Sequence, residues 1–120
     1  MTTPARAAYI PGSATYLRIV EEVTEAGFTQ AELGKAVGAS SRTVQNWAGG
    51  HTAPTGVKMR RLLDLQYIVT ELRTAYTDEG IRIWLNARNR NLDRQRPIDL
   101  LTSGEFDRVL REAERVGGGM

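Results

Sequence analysis

The chain has 120 residues, no cysteine, one histidine and a formal net charge of +2, from 16 basic and 14 acidic residues. Without cysteine the sequence can supply neither a disulfide framework nor a thiolate metal site, and a single histidine excludes the usual multi-histidine zinc sites. The 41% hydrophobic and 25% charged residues are typical of a globular protein, either one compact domain or two small helical lobes that share a core. No apolar run approaches the roughly 20 residues of a membrane helix. We therefore expect a cytoplasmic protein that has no membrane partner.

The first part of the sequence predicts a flexible leader, residues 1–12, and then two helices. Helical periodicity begins at Ser13, and the first helix ends at Gly27. A second, short helix opens at Thr29, which forms the T-x-x-E capping-box pattern with Glu32.

A third helix and a much longer fourth helix follow. Gly38 ends the second helix, Ser40 caps the third, and the third helix runs through Trp47. Pro54 cannot lie inside a helix, so the longest helix is predicted after it, from Val57 to Tyr76. Its apolar residues cover more than one face, which indicates packing on two sides. They are Met59, Leu62, Leu63, Leu65, Ile68, Val69, Leu72 and Tyr76.

The remaining residues predict three more helices around a polar loop. Asp78 is predicted to cap a helix that carries four apolar residues. They are Ile81, Ile83, Trp84 and Leu85. The segment Asn86 to Arg96 is predicted as a polar loop. Proline favours the first position of a short helix from Pro97 to Leu101, and the last amphipathic helix spans Glu105 to Val116. Because no segment has a convincing strand pattern, the predicted fold class is all-α.

Residues 29–47 read TQAELGKAVGASSRTVQNW, which fits two short helices joined by a tight turn. Gly34 is small where the helices cross, and Gly38 can adopt the left-handed backbone that a tight turn needs. Four apolar residues face inward: Leu33 and Val37 on the first helix, and Val44 and Trp47 on the second. The outer face of the second helix carries residue types that reach base edges and phosphates in a major groove. They are Ser41, Arg42, Gln45 and Asn46.

The pattern T-Q-x-x-L-G-x-x-x-G-x-S-x-x-T-V-x-x-W, followed by glycine, resembles the helix-turn-helix of the Xre-type repressors. The resemblance implies that a homodimer binds operator DNA through the outer face of the second helix of this pair, the helix that Ser40 caps. It assigns contacts with bases or phosphates to seven residues: Gln30, Ser40, Ser41, Arg42, Thr43, Gln45 and Asn46. The alternative is an αα-hairpin that binds no DNA, since short helical pairs are common in bundles.

The second half carries an arginine cluster and an ordered pattern of its own. Five arginines surround a single acid, Asp93; they are Arg82, Arg88, Arg90, Arg94 and Arg96. Trp84 and Leu92 are candidate core anchors, and Asp99 favours the positive end of the short helix that starts at Pro97. For Trp84 and the pair Leu100-Leu101, plain packing is the simpler interpretation.

The order W-L…N…L…R-P-I-D-L-L…G…V resembles the toxin-binding region of the Xre/MbcA/ParS antitoxins. Together with the upstream motif, the resemblance covers about residues 15–116. Two positions depart from the family pattern: Arg90 stands where the family often has proline, and Asp93 where it often has glycine. The predicted regions are a leader (1–12), a helix-turn-helix DNA-binding region (13–56), a connecting helix (57–77), a toxin-binding region (78–117) and a flexible tail (118–120).

The resemblance implies an antitoxin whose partner is a RES-domain toxin, an enzyme that degrades NAD using phosphate or water. The antitoxin would need no cofactor and do no chemistry. It would cover the active-site cleft of the toxin, and a higher toxin–antitoxin complex would repress its own operon. Toxin contacts are expected from eight residues: Trp84, Asn89, Arg90, Arg94, Arg96, Asp99, Arg108 and Arg111. A solvated surface remains the alternative for Arg88 and Arg90.

Two other classes of function have weaker support. One is a stand-alone helix-turn-helix transcriptional regulator with a C-terminal dimerisation or adaptor region, which would need no toxin gene nearby. The other is an enzyme. Carboxylates at adjacent or i,i+2 positions, such as the pair Glu112 and Glu114, point away from each other on a helix, and His51 has no identifiable partner. No glycine-rich loop precedes a helix in the way that phosphate binding requires.

Overall fold

The computed structural model describes residues 13–118, so the predicted leader and residues 119–120 lie outside the described part of the chain. Within residues 13–118 the fold is all-α, as predicted, with seven α-helices, one 3-10 turn and no strand. The helices are α1 (Ser13–Glu25), α2 (Gln30–Val37), α3 (Ser41–Ala48), α4 (Gly56–Arg73), α5 (Asp78–Asn86), α6 (Pro97–Thr102) and α7 (Phe106–Gly118), and the 3-10 turn is Arg90–Leu92. None of these helices is long and apolar enough to span a bilayer.

Helix α4 is the centre of the fold. Helix α1 packs on one side of it and α7 on another, which confirms the prediction of two-sided packing. Five apolar residues of α4 are buried: Leu62, Leu65, Ile68, Val69 and Leu72. Leu63 and Tyr76, which the sequence pattern predicts among the packed apolar residues of this helix, are 42% and 39% exposed. Ile83 of α5 is likewise 63% exposed, so these three residues do not belong to the core.

Several helix ends differ from the prediction. Helix α4 ends at Arg73 rather than Tyr76, because the chain turns at Thr74 and Ala75, and Tyr76 N–H donates back to Leu72. The cap of α5 is Thr77 rather than Asp78, since the Thr77 hydroxyl accepts a hydrogen bond from Gly80 N–H. A threonine hydroxyl can satisfy a backbone donor of the first turn.

The C-terminal helix is longer than predicted. It continues through Gly118, whereas the glycines after Val116 predict its end and place Gly118 in the flexible tail. The helix continues because it packs against another helix. A Cβ atom on Gly117 would lie 2.3 Å from the Glu71 carbonyl oxygen, so this glycine lets α7 approach the backbone of α4.

One hydrophobic core runs through both halves of the chain. It includes Leu33 and Trp47 from the first half and Leu85 and Leu101 from the second. The contact is direct, because α6 packs against α2. The two predicted binding regions therefore share a core, and α5, α6 and α7 cover surfaces of α2 and α4 that would otherwise be exposed to water.

Candidate functional site

Helices α2 and α3 are each fixed at the N-terminus by a side-chain cap. In α2, Thr29 N–H donates to the Glu32 carboxylate at 2.9 Å, and Glu32 N–H donates to the Thr29 hydroxyl at 3.0 Å. This confirms the capping box that the sequence predicted. In α3, the Ser40 hydroxyl accepts from Thr43 N–H at 3.1 Å, as expected of a helix cap.

The turn between α2 and α3 depends on two glycines. Gly38 adopts the left-handed conformation with φ 86°, and its N–H donates to Gly34 O at 2.8 Å. A Cβ atom on Gly34 would lie 2.5 Å from the Ala39 carbonyl oxygen, so a side chain there would displace the turn. The sequence predicts that Gly34 lies where the two helices cross. In the structure it lies instead against the backbone of the turn, at Ala39 and Ser40.

The outer face of α3 is open to solvent. The four inward apolar residues are buried as predicted: Leu33, Val37, Val44 and Trp47. On the opposite side Ser41, Arg42 and Gln45 are exposed, and Asn46 is half-buried. The hydroxyls of Ser40 and Thr43 lie 3.0 Å apart at the start of the helix, where they form the cap. Gln30, half-buried, is the first residue of α2.

The loop between α5 and α6 is organised around Asn89. Its N–H donates to Gln95 O at 3.1 Å, and its own carbonyl accepts from the N–H groups of Leu92 and Arg94 at 3.0 and 2.8 Å. Its side-chain oxygen accepts from Asn91 N–H at 2.8 Å. Asn89, predicted to contact a partner, therefore uses its side-chain carbonyl to shape the loop.

The loop has an unusual backbone at two consecutive residues. Asp93 and Arg94 have φ values of 57° and 65°, in the left-handed region that disfavours residues with a Cβ atom. Asp93 is the position at which the family pattern often has glycine, which adopts this conformation readily. Arg90, where the family often has proline, is the first residue of the 3-10 turn, a position that suits proline.

Most arginines of this region are held by other groups of the same chain. Arg96 donates twice to Asp99, at 2.8 Å each, and this hydrogen bonding lowers the pKa of Asp99. Arg108 donates to Asp93 at 2.7 Å. Arg88 donates to the Arg94 carbonyl at 3.3 Å. In the described part of the chain these contacts fix three of the guanidinium groups near the loop.

Two further arginine contacts tie the halves together. Arg82 of α5 donates to the Gly27 carbonyl and lies 3.8 Å from the Glu32 carboxylate. Arg61 of α4 donates to Ala36 O at 3.4 Å and lies over the Phe106 ring, 5.6 Å from its centroid. These contacts connect α5 and α4 with α2.

Helix α7 carries a buried carboxylate, Glu112, which the sequence pattern did not predict. The side chain of Glu112 is only 7% exposed. It accepts from Arg115 at 2.7 and 3.1 Å and from Asn91 at 3.1 Å. The bond from Arg115 lowers the pKa of Glu112 despite its burial. Its spacing could have indicated the burial of Glu112, because it lies three residues after Val109 and three before Arg115, beside the apolar stripe of α7.

A recess of about 260 Å³ lies between the 3-10 turn and α7. Its lining residues are Asn91, Leu92, Arg108, Arg111, Glu112 and Arg115. Arg108 and Arg111, both predicted to contact a partner, thus come together with the Asn89 loop. Trp84 is partly buried against the core, which favours the packing interpretation of this residue.

Comparisons with known proteins place the chain among antitoxins. No family model matches it. It is 32% identical over 94 residues to the mycobacterial cidal antitoxin MbcA of Mycobacterium tuberculosis H37Rv, which is 78% of this chain and 83% of MbcA. It is 35% identical over 96 residues to the probable mycobacterial cidal antitoxin Rv3188 of the same strain, with 80% and 82% of the two chains covered.

A solved structure supports the same assignment. The fold matches a chain in the crystal structure of the M. tuberculosis MbcT–MbcA toxin–antitoxin complex with a TM-score of 0.71 and 30% sequence identity. The match covers 87% of this chain and 95% of the other. The chain therefore belongs to the MbcA family and is an antitoxin of a toxin–antitoxin system.

Proposed function

We propose that this antitoxin binds a RES-domain toxin that degrades NAD and blocks its active site, and that it represses its own operon by binding promoter DNA. The observation that carries the proposal is its likeness, over 87% of its length, to a chain crystallised in a toxin–antitoxin complex. The resemblance of residues 84–109 to the toxin-binding region of the family supplies the class of toxin. We propose that the antitoxin acts by obstruction and contributes no catalytic group.

The proposed toxin-binding region consists of the Asn89 loop, α6 and α7. The loop and α7 meet at the recess that contains Arg108 and Arg111. A surface with several arginines and a fixed loop suits a partner that presents carboxylates, since the guanidinium fork binds them in a bidentate way.

The proposed DNA-binding region is the α2–α3 pair, a helix-turn-helix of the Xre type. The exposed side chains of Ser41, Arg42 and Gln45 support this role, because they share one face of a helix that is well capped. We further propose that a homodimer binds DNA, so the operator would contain two half-sites about one helical turn apart. Analytical ultracentrifugation of the chain, alone and with promoter DNA, measures this stoichiometry.

The decisive experiment for toxin neutralisation uses the full chain. A chain truncated at Tyr76 would lose α5, α6 and α7, and with them core residues such as Leu101 and Val109. We therefore propose to measure NAD consumption by the purified product of the neighbouring toxin gene, with increasing amounts of the intact antitoxin. Inhibition that reaches completion at a fixed stoichiometry supports the proposal.

The alternative function is a stand-alone transcriptional regulator whose second half dimerises or binds an adaptor. It predicts that the chain binds promoter DNA by itself and leaves NAD consumption unchanged at every concentration. That pair of results would replace the toxin-binding proposal with the regulator.

A further inference from the structure

Of the eight arginines between Asp78 and Gly118, five are held by groups of the same chain. Each donates to a named acceptor: Arg82 to Gly27 O, Arg88 to Arg94 O, Arg96 to Asp99, Arg108 to Asp93, and Arg115 to Glu112. These guanidinium groups build the surface, and a partner could engage them only in addition to, or in competition with, their internal contacts.

The other three, Arg90, Arg94 and Arg111, differ from these five. Their side chains are exposed and make no hydrogen bond or ion pair with any residue in the described range 13–118. We call them the open arginines. Arg90 and Arg94 lie on the Asn89 loop, and Arg111 lies on α7, which packs against the 3-10 turn of that loop.

The loop that carries Arg90 and Arg94 is anchored at several points. Between them Leu92 is only 2% exposed and anchors the loop in the core. Asn89 closes the loop through four hydrogen bonds, and Asp93 is tied to Arg108. Asp93 and Arg94 are kept in a left-handed conformation that their Cβ atoms disfavour. Such a conformation persists only where surrounding contacts determine it, and it occurs preferentially at recognition sites.

We infer that the open arginines bind carboxylates on an acidic surface of the toxin, and that they determine which toxin this antitoxin recognises. The inference rests on the proposed toxin-binding function. A loop whose backbone is already anchored loses little backbone entropy on binding, so two arginines carried at fixed backbone positions favour a partner with acids at a matching spacing.

The charge balance favours a protein partner over nucleic acid on this surface. Residues 78–118 contain eight acidic and eight basic residues, so the region has no net positive charge. Nucleic acid is usually bound by a continuous basic surface that follows its phosphates. Here Asp93 and Asp99 pair with Arg108 and Arg96 and interrupt the row of arginines, so the surface offers no continuous basic path for a phosphate backbone, whereas individual arginines can pair with individual acids of a protein.

The test compares two double variants of the full chain that change the charge equally. R90E/R94E reverses two open arginines, and R18E/K58E reverses two exposed basic residues on α1 and α4 that make no ion pair within the described range. Each variant changes the formal net charge from +2 to −2. The dissociation constant for the purified toxin is measured at low and at high salt, and thermal unfolding checks that each variant is folded. R90Q/R94Q removes the charge without reversing it, should the first variant be unstable.

We expect R90E/R94E to weaken toxin binding by at least about tenfold, because like charges would face each other across the interface. We also expect its dependence on salt to be smaller than that of the natural chain, while R18E/K58E stays within about twofold of it. An unchanged dissociation constant in both R90 and R94 double variants overturns the inference. So does equal weakening by R18E/K58E, or a loss of DNA binding with toxin binding intact. Failure of the natural chain to bind the toxin instead overturns the proposed function.

Discussion

Gly117 of α7 lies against the backbone of Glu71 in α4. An added Cβ atom would be 2.3 Å from the Glu71 carbonyl oxygen and 2.9 Å from its carbonyl carbon. The Thr74 hydroxyl is 3.1 Å from Gly117 O, at the same crossing. The approach of these two helices is thus set by the absence of a side chain at one residue.

We expect Gly117→Ala to destabilise the protein by about 1–3 kcal/mol, because the methyl group must push α7 away from α4. Alanine is otherwise the better helix former by about 0.5–1 kcal/mol, so a loss of stability in Gly117→Ala would show that the contact between the helices outweighs helix propensity. Urea denaturation monitored by circular dichroism measures the free energy of unfolding.

The neighbouring glycine provides a matched control. A Cβ atom on Gly118 would meet no atom within 4 Å. Gly118→Ala should therefore leave the free energy of unfolding unchanged or raise it slightly. If both variants behave alike, the close contact at Gly117 does not determine how α7 packs.

A second prediction concerns the left-handed backbone at Asp93. Glycine adopts φ 57° without strain, whereas alanine does not, so Asp93→Gly should be more stable than Asp93→Ala by about 1 kcal/mol. Both variants lose the contact with Arg108. The Asp93 side chain is 82% exposed, so that ion pair should contribute no more than about 1 kcal/mol, which Arg108→Ala measures separately. Equal stability of the two Asp93 variants would mean that the backbone strain is absent in solution.

Local patterns explain why the α2–α3 pair could be predicted in detail. The contacts of Thr29 with Glu32 and of Ser40 with Thr43 join residues three apart, so the sequence contains all of the information needed. The division of α3 into a buried and an exposed face also follows from the helical period, since Val44 and Trp47 are three residues apart.

The rest of the candidate site depends on packing between distant segments. Local sequence rules predict that the helix ends at Gly117. Only the contact of Gly117 with Glu71 explains why α7 continues. Glu112 is buried because of the way α7 packs against the 3-10 turn, which brings Asn91 to it. Which arginines remain open was equally beyond prediction, because the partners of Arg108 and Arg88 depend on the left-handed loop backbone.

A third prediction uses the pH dependence of Glu112. Its pKa in the folded protein is held below the ordinary value of 4.5 by hydrogen bonds, the strongest from Arg115. Because the folded-state pKa is lower than the unfolded one, the stabilisation is complete above about pH 4.5. It is lost as the pH falls through the folded-state value.

Glu112→Gln removes this titration while keeping the size of the side chain. We expect it to lower the free energy of unfolding at pH 7 by about 1–3 kcal/mol, since a buried charge-assisted hydrogen bond is lost. The difference from the natural chain should shrink as the pH falls below 4.5, and it should vanish once the pH is below the lowered pKa, where the carboxyl group of the folded protein is also protonated. Thermal unfolding from pH 7 down to pH 3 checks this, and a difference that stays constant over the series would show that Glu112 does not titrate as expected.

The last prediction concerns the exposed face of α3 and depends on the proposed DNA-binding function. If Arg42 and Gln45 contact base edges, Arg42→Ala and Gln45→Ala should each weaken binding to the promoter of the chain's own operon by about 1–3 kcal/mol. Arg18→Ala is the control, because Arg18 is an exposed arginine on α1 and not on α3. Fluorescence anisotropy with labelled promoter DNA, at one fixed salt concentration, measures all three affinities. Unchanged affinity in both α3 variants would remove this face from the DNA interface and leave α2–α3 as a helical hairpin whose role is to pack against α6.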